Sequence, residues 1–135
     1  MHITLETDYA IRIVVFLIQA NKRVDAKNIS EGTGVTLRFA LKILRKLVAA
    51  GFIRSFKGIK GGYEFAMESP KSLCLYDVVR AIEGECLLSR CLDANIGCNH
   101  KHEESEKECK TCQAFRRATE TLQSQLKAVT FDQLI

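Results

Sequence analysis

No apolar run in this chain is long enough to cross a bilayer: the longest, Ile13 to Ile18, is a fraction of the roughly 20 residues a membrane helix needs. The N-terminus lacks both the basic stretch and the small-residue cleavage pattern of a secretory signal, so the expected compartment is the cytoplasm, with no membrane partner. No linker composition divides the 135 residues, which argues for one domain or a compact module with one appended element. A further absence is local. From Arg38 to Lys60 there is no acidic residue, while Arg38, Lys42, Arg45, Lys46, Arg54, Lys57 and Lys60 all fall there. Such a segment suits a polyanion, although a solvated basic face has the same composition.

Hydrophobic residues make up 47% and charged residues 27%, ordinary values for a globular chain, and the net charge is only +4. Cysteine is the unusual component. There are six, and in a reducing compartment they read as ligands or redox groups rather than a disulfide framework. Four of them, Cys91, Cys98, Cys109 and Cys112, lie on one irregular stretch.

Hydrophobic periodicity predicts a mainly helical fold with a small β wing. Leu5 to Ala20 is apolar nearly all round, with Tyr9, Ile13, Phe16 and Leu17 on one face, as a buried first helix requires. Asp25 offers an N-cap for a short helix ending at Gly32. Thr36 caps a longer helix whose apolar positions Leu37, Ala40, Leu41, Leu44, Leu47 and Val48 recur every three or four residues until Gly51 closes it. Arg38, Lys42, Arg45 and Lys46 fall on the opposite side, so the helix can bury one stripe and offer a cationic one to a major groove. Phe52 to Lys57 and Tyr63 to Met67 then read as two strands joined by the glycine-rich Gly58 to Gly62, with Lys60 at the tip for a phosphate or a narrow minor groove. Together these segments predict a winged helix-turn-helix over residues 1–84. The residues expected at DNA are Thr36, Arg38, Phe39, Lys42, Arg45, Arg54, Lys57, Lys60, Gly61, Gly62 and Tyr63.

Four stretches carry a family likeness: Thr7-Asp8-Tyr9-Ala10; Leu41 to Ile53; the wing Lys60-Gly61-Gly62-Tyr63; and Leu75-Tyr76-Asp77-Val78-Val79-Arg80-Ala81-Ile82-Glu83-Gly84. In these the chain resembles the Rrf-two family of bacterial winged-helix regulators, which includes iron-sulfur sensors of the IscR and NsrR kind. The resemblance spans nearly the whole chain. It implies a homodimer that represses transcription by reading a palindromic operator in double-stranded DNA through paired recognition helices and wings. Cluster-holding members place three cysteines before a long dimerisation helix, and Cys91, Cys98 and Cys109 occupy those places. For the fourth ligand the resemblance leaves two candidates. Cys112 stands where some members have a histidine, and Asp8 stands where others donate an aspartate from the partner subunit. The spacing between Cys98 and Cys109 is longer than is usual in the family.

The chemistry of the segment favours the same cofactor. Structural zinc usually takes two close-spaced cysteine pairs, whereas here a single Cys-x-x-Cys accompanies two scattered cysteines. An iron-sulfur cluster, 2Fe-2S or 4Fe-4S, spreads its thiolate contacts over a larger polyhedron and tolerates such spacing. It would sense redox state, nitric oxide or iron-sulfur status. A zinc-bound or metal-free thiol-switch regulator of the same fold is the alternative. A thiol oxidoreductase using Cys109 and Cys112 is a poorer match, because the strand-helix-strand setting of such a motif is missing and a basic wing would be idle, so no enzymatic activity is expected. Cys74, between two leucines, and Cys86 read as small buried hydrophobes, and His100 and His102 as solvated loop residues. Phe115, Ala118, Leu122, Leu126 and Val129 form a stripe on a long last helix, opened by Cys112, that suits a partner helix or the chain's own domain, and the family resemblance implies that it pairs across the dimer within residues 85–135.

Overall fold

The computed structural model describes residues 2–97 and 109–135. Five helices, α1 (Leu5–Ala20), α2 (Ala26–Thr33), α3 (Leu37–Ala49), α4 (Leu75–Glu83) and α5 (Lys110–Ala128), accompany a two-stranded antiparallel sheet of β1 (Ile53–Phe56) and β2 (Gly62–Phe65). The mainly helical fold with its small wing is as expected from the sequence. In the wing, Ile53 pairs with Phe65 and Phe56 with Gly62. Val24, just ahead of α2, extends the sheet by exchanging two backbone hydrogen bonds with Tyr63, at 2.9 and 2.8 Å.

Local chemistry explains the boundaries. Thr4 caps α1 by accepting from the Thr7 amide, and Asp25 caps α2 through the Asn28 amide at 2.8 Å. The expected end of α2 needs correction: the helix runs to Thr33, and Gly34, not Gly32, takes the left-handed conformation at φ 73°. Gly32 is small for another reason. A Cβ there would lie 2.3 Å from the Phe16 ring, so its absence lets α1 and α2 close together. Thr36 stands at the N-cap of α3 but makes no side-chain capping bond. The last helix starts earlier than expected, with Cys109 as its cap and Cys112 in its first turn.

The core is formed by α1, α2, α3 and α4, where Ala10, Ile13, Val14, Leu17, Ile29, Ala40, Ile43, Leu44, Leu47 and Val78 are fully buried. On α3 the buried stripe is therefore Ala40, Ile43, Leu44 and Leu47; Leu37, expected inside, is 45% exposed. The chain's end returns to this core. Phe131 is fully buried, its amide donates to the Leu73 carbonyl at 2.9 Å, and Leu75 donates to Val129. Among the described residues no helix is long and apolar enough to cross a membrane.

Candidate functional site

Two groups of residues stand out, a cationic face built by α3 and the wing, and the cysteines before and within α5. On α3, Arg38, Lys42 and Arg45 are exposed while the buried stripe packs mainly against α1 and α2. Lys46 does not join them freely. Its ammonium lies 2.7 Å from Glu6 Oε1 of α1, and Lys42 reaches Glu6 Oε2 at 3.5 Å. Oε1 makes no well-angled hydrogen bond, so its contact with Lys46 is an ion pair, whereas Oε2 accepts a hydrogen bond from Lys42. Lys46, then burial in opposition, then Lys42 set the Glu6 carboxyl, with a net position below its ordinary value of 4.5. Glu6 thus ties the first helix to the base of the cationic face. Nothing in the local sequence around α3 signalled it.

Arg54, Lys57 and Lys60 are exposed on the wing, with Arg54 directly opposite Glu64 across the strands. Other expected DNA residues have internal roles that sequence reading did not separate. Phe39 is half-buried edge-on against Tyr9, with ring centroids 5.5 Å apart, and Tyr63 packs on the core. At Gly62 a Cβ would lie 2.6 Å from the Val24 carbonyl, and at Gly61 2.5 Å from that of Phe56. Both glycines are demanded by close approach within the protein itself. Arg23 braces the same region: its guanidinium lies 3.3 Å over the Phe56 ring and donates to the Lys60 carbonyl at 3.3 Å.

The cysteines divide. Cys91, in a short 3-10 helix over Arg90–Leu92, brings its Sγ to 3.4 Å from Cys112 Sγ. Cys109 Sγ accepts from the Cys112 amide at 3.3 Å, so it sits at the same helix end. Cys98 and the loop His100 to Glu108 lie outside the described residues, and among the described residues no group of three His, Cys, Asp or Glu side chains closes into a metal shell. The Cys91–Cys112 pair nevertheless fits a shared soft metal. Two thiolates on one tetrahedral centre with bonds of about 2.3 Å sit about 3.8 Å apart, a few tenths from the observed separation. Asp8 is elsewhere, half-buried on α1 and paired with Arg12 at 2.9 Å. Cys74 and Cys86 are half-buried rather than fully buried as expected. Burial raises both thiols, Cys74 further through its 3.0 Å hydrogen bond to Asp77 and Cys86 through Glu83 and Glu85, so both resist becoming thiolates.

A structural link behind the Thr7 and Glu83 motifs also emerges. Thr7 is fully buried and donates its hydroxyl to Glu83 Oε1 at 2.6 Å, while the Thr4 amide donates to the same oxygen at 2.7 Å. Burial pushes the Glu83 carboxyl up, but the bonds from Thr7 and Thr4 outweigh it and hold the group below its ordinary value. On α5 only Cys112 and Thr119 are buried. Phe115 is 41% and Leu122 37% exposed, Ala118 is open, and Leu126 and Val129 are half-buried. Leu122 and Leu126 border an apolar recess of about 290 Å³ shared with Ile3, Val79, Leu87 and Leu88.

Residues 3–135 match the family model Rrf2, described as "Iron-dependent Transcriptional regulator". The chain is 28% identical over 97 residues to the HTH-type transcriptional regulator NsrR of Bacillus subtilis, a match covering 70% of this chain and 66% of that one. It is 26% identical over 137 residues to Protein aau3 of Rhizobium meliloti, covering 100% and 85% respectively. Among solved structures it is similar to CymR, the global cysteine regulator of B. subtilis, with a TM-score of 0.75, 18% identity and coverage of 99% of this chain and 95% of that one. Its similarity to T. potens IscR is of the same order, with a TM-score of 0.75, 20% identity and coverage of 99% and 85%.

Proposed function

Because the chain belongs to the Rrf2 family of winged-helix transcriptional regulators, we propose that it is a homodimeric repressor whose operator affinity is tuned by an iron-sulfur cluster. Its α3 helices and wings enter successive grooves of a palindromic site, with Arg38 and Lys42 toward base edges, Lys60 in the minor groove, and Arg45, Arg54 and Lys57 toward phosphates. Thr36 precedes that helix at its groove-entering end. Dimerisation runs through Phe115, Ala118, Leu122, Leu126 and Val129. The cluster ligands are Cys91, Cys98, Cys109 and Cys112, with Asp8 of the other subunit as the alternative fourth.

The observation that carries this reading is the 3.4 Å approach of Cys91 to Cys112 at the start of the helix that bears the exposed stripe. When bound, a cluster supplies a centre reactive toward oxidants and nitric oxide. The protein's part is mechanical: the two thiols connect the segment after α4 to α5, and Thr119 and Gln123 continue that connection through Leu88 N at 3.2 Å and Cys86 O at 3.1 Å. A change at the cysteines therefore bears on how α5 lies and, through the dimer, on the spacing of two recognition helices. The same sulfur contact supports a second reading, a metal-free switch in which the two thiols respond to oxidants directly.

Anaerobic purification with iron, sulfide and visible absorption separates the two. Cys91→Ala is expected to remove most of the iron, and Cys112→Ala to do more damage than Asp8→Ala, thiolate being the softer donor. Unchanged iron in Cys91→Ala removes the cluster reading; colourless, iron-free wild type with oxidant-dependent DNA binding selects the switch. On DNA, Arg38→Ala is expected to cost about 1 to 3 kcal/mol and relax base preference. Lys57→Ala should weaken all sequences alike and lower the salt slope by about one. Equal affinity of wild type and an Arg38→Ala, Lys60→Ala double variant for a confirmed operator removes the interface.

A further inference from the structure

The wing tip combines three features that packing within the chain does not explain. Ile59 is the most exposed large apolar side chain described, at 107% of its reference area, and touches no core residue. Lys57 and Lys60, on either side of it, are exposed as well. Yet the turn beneath is firmly held. Gly61 N donates to Gly58 O at 2.9 Å, Val24 and Tyr63 lock the base of β2, and Arg23 stacks on Phe56 while donating to the Lys60 carbonyl. A polar residue at this tip would be better hydrated, and a flexible tip would let Ile59 fold back onto apolar surface. The braced turn prevents that.

Resting on the DNA-binding reading above, we propose that Ile59 is an apolar wedge that enters the minor groove and partly unstacks a base step, with Lys60 beside it in the groove and Lys57 gripping the adjoining phosphate. Burying an isoleucine side chain that water fully surrounds is favourable, and flanking cations hold the probe against the backbone while it enters. The wedge confers selectivity for deformation rather than for hydrogen-bonding pattern. Pyrimidine-purine steps such as TA and CA unstack readily, whereas A-tracts are stiff. The preferred operator therefore carries such a step where each wing lands.

Selection of duplexes from a random library with the full chain supplies the site, and 2-aminopurine placed at the step reports unstacking. Wild type is expected to enrich a pyrimidine-purine step at a fixed distance from each half-site and to brighten the probe. Ile59→Ser should lose on the order of tenfold in affinity, leave the salt slope unchanged because no charge is removed, and fail to brighten the probe. Ile59→Leu should keep both. Ile59 has no packing partner, so Ile59→Ser should unfold at the wild-type temperature. If Ile59→Ser binds and brightens like wild type, the wedge is wrong while DNA binding stands. If wild type enriches no duplex, the DNA-binding reading fails and the wedge with it; Ile59-dependent binding to anionic lipid vesicles instead of duplex also overturns it.

Discussion

The first four helices and the last one obey different rules. In α1 to α4 the apolar stripes pack on one another within the same chain, and Ile13, Leu17, Ile29, Ile43, Leu44, Leu47 and Val78 are sealed from water. α5 is longer than any of them, yet buries only Cys112 and Thr119 and leaves Phe115 and Leu122 open. The first region is complete as a single chain. The second carries an exposed apolar stripe, which the proposed dimer covers with a partner helix, beside the Cys91–Cys112 sulfur contact, which in the proposed function a soft metal or an oxidant engages. A regulator needs this asymmetry, a rigid reader joined to a part whose state depends on what it meets.

Phe131→Ala tests the asymmetry most severely, because this residue belongs to the C-terminal region by sequence and to the first core by packing. It is expected to destabilise the chain by about 3 to 5 kcal/mol in denaturant unfolding. A loss below about 1 kcal/mol would mean that the chain's end is not part of the reader's core. Thr7→Val comes next. It removes the buried hydroxyl that donates to the Glu83 carboxylate, with an expected loss of about 1 to 3 kcal/mol in the same measurement.

Leu122→Glu sharpens the comparison from the other side. On a half-exposed face it should change monomer stability by less than about 1 kcal/mol, while sedimentation equilibrium shows the dimer dissociating. An unaltered dimer places the subunit interface elsewhere. The smallest expected effect concerns acid. Glu6 and Glu83 both sit below their ordinary value of 4.5 in the folded chain. A depressed folded pKa contributes stability that is present above the unfolded value and lost as pH falls through the folded one. The unfolding temperature should thus decline as pH drops below 4.5, and Glu6→Gln should flatten part of that decline. An identical acid profile in Glu6→Gln would leave its ion pair with Lys46 without energetic weight.

The sequence alone determined the helices, the wing and the outward basic residues, because those signals are short-range: apolar residues recurring every turn, a capping side chain three residues from its amide, glycines between two β-rich runs. It also brought four cysteines onto one stretch and so pointed to sulfur chemistry. Only the tertiary structure decided which residues meet across long separations. Thr7 with Glu83, Glu6 with Lys46, Gly32 beneath Phe16, Phe131 against Leu73 and Cys91 against Cys112 depend on how packed helices are rotated and docked. Periodicity along one element shows that it has a buried face, but the identity of the atoms covering that face is a property of the whole chain closing on itself.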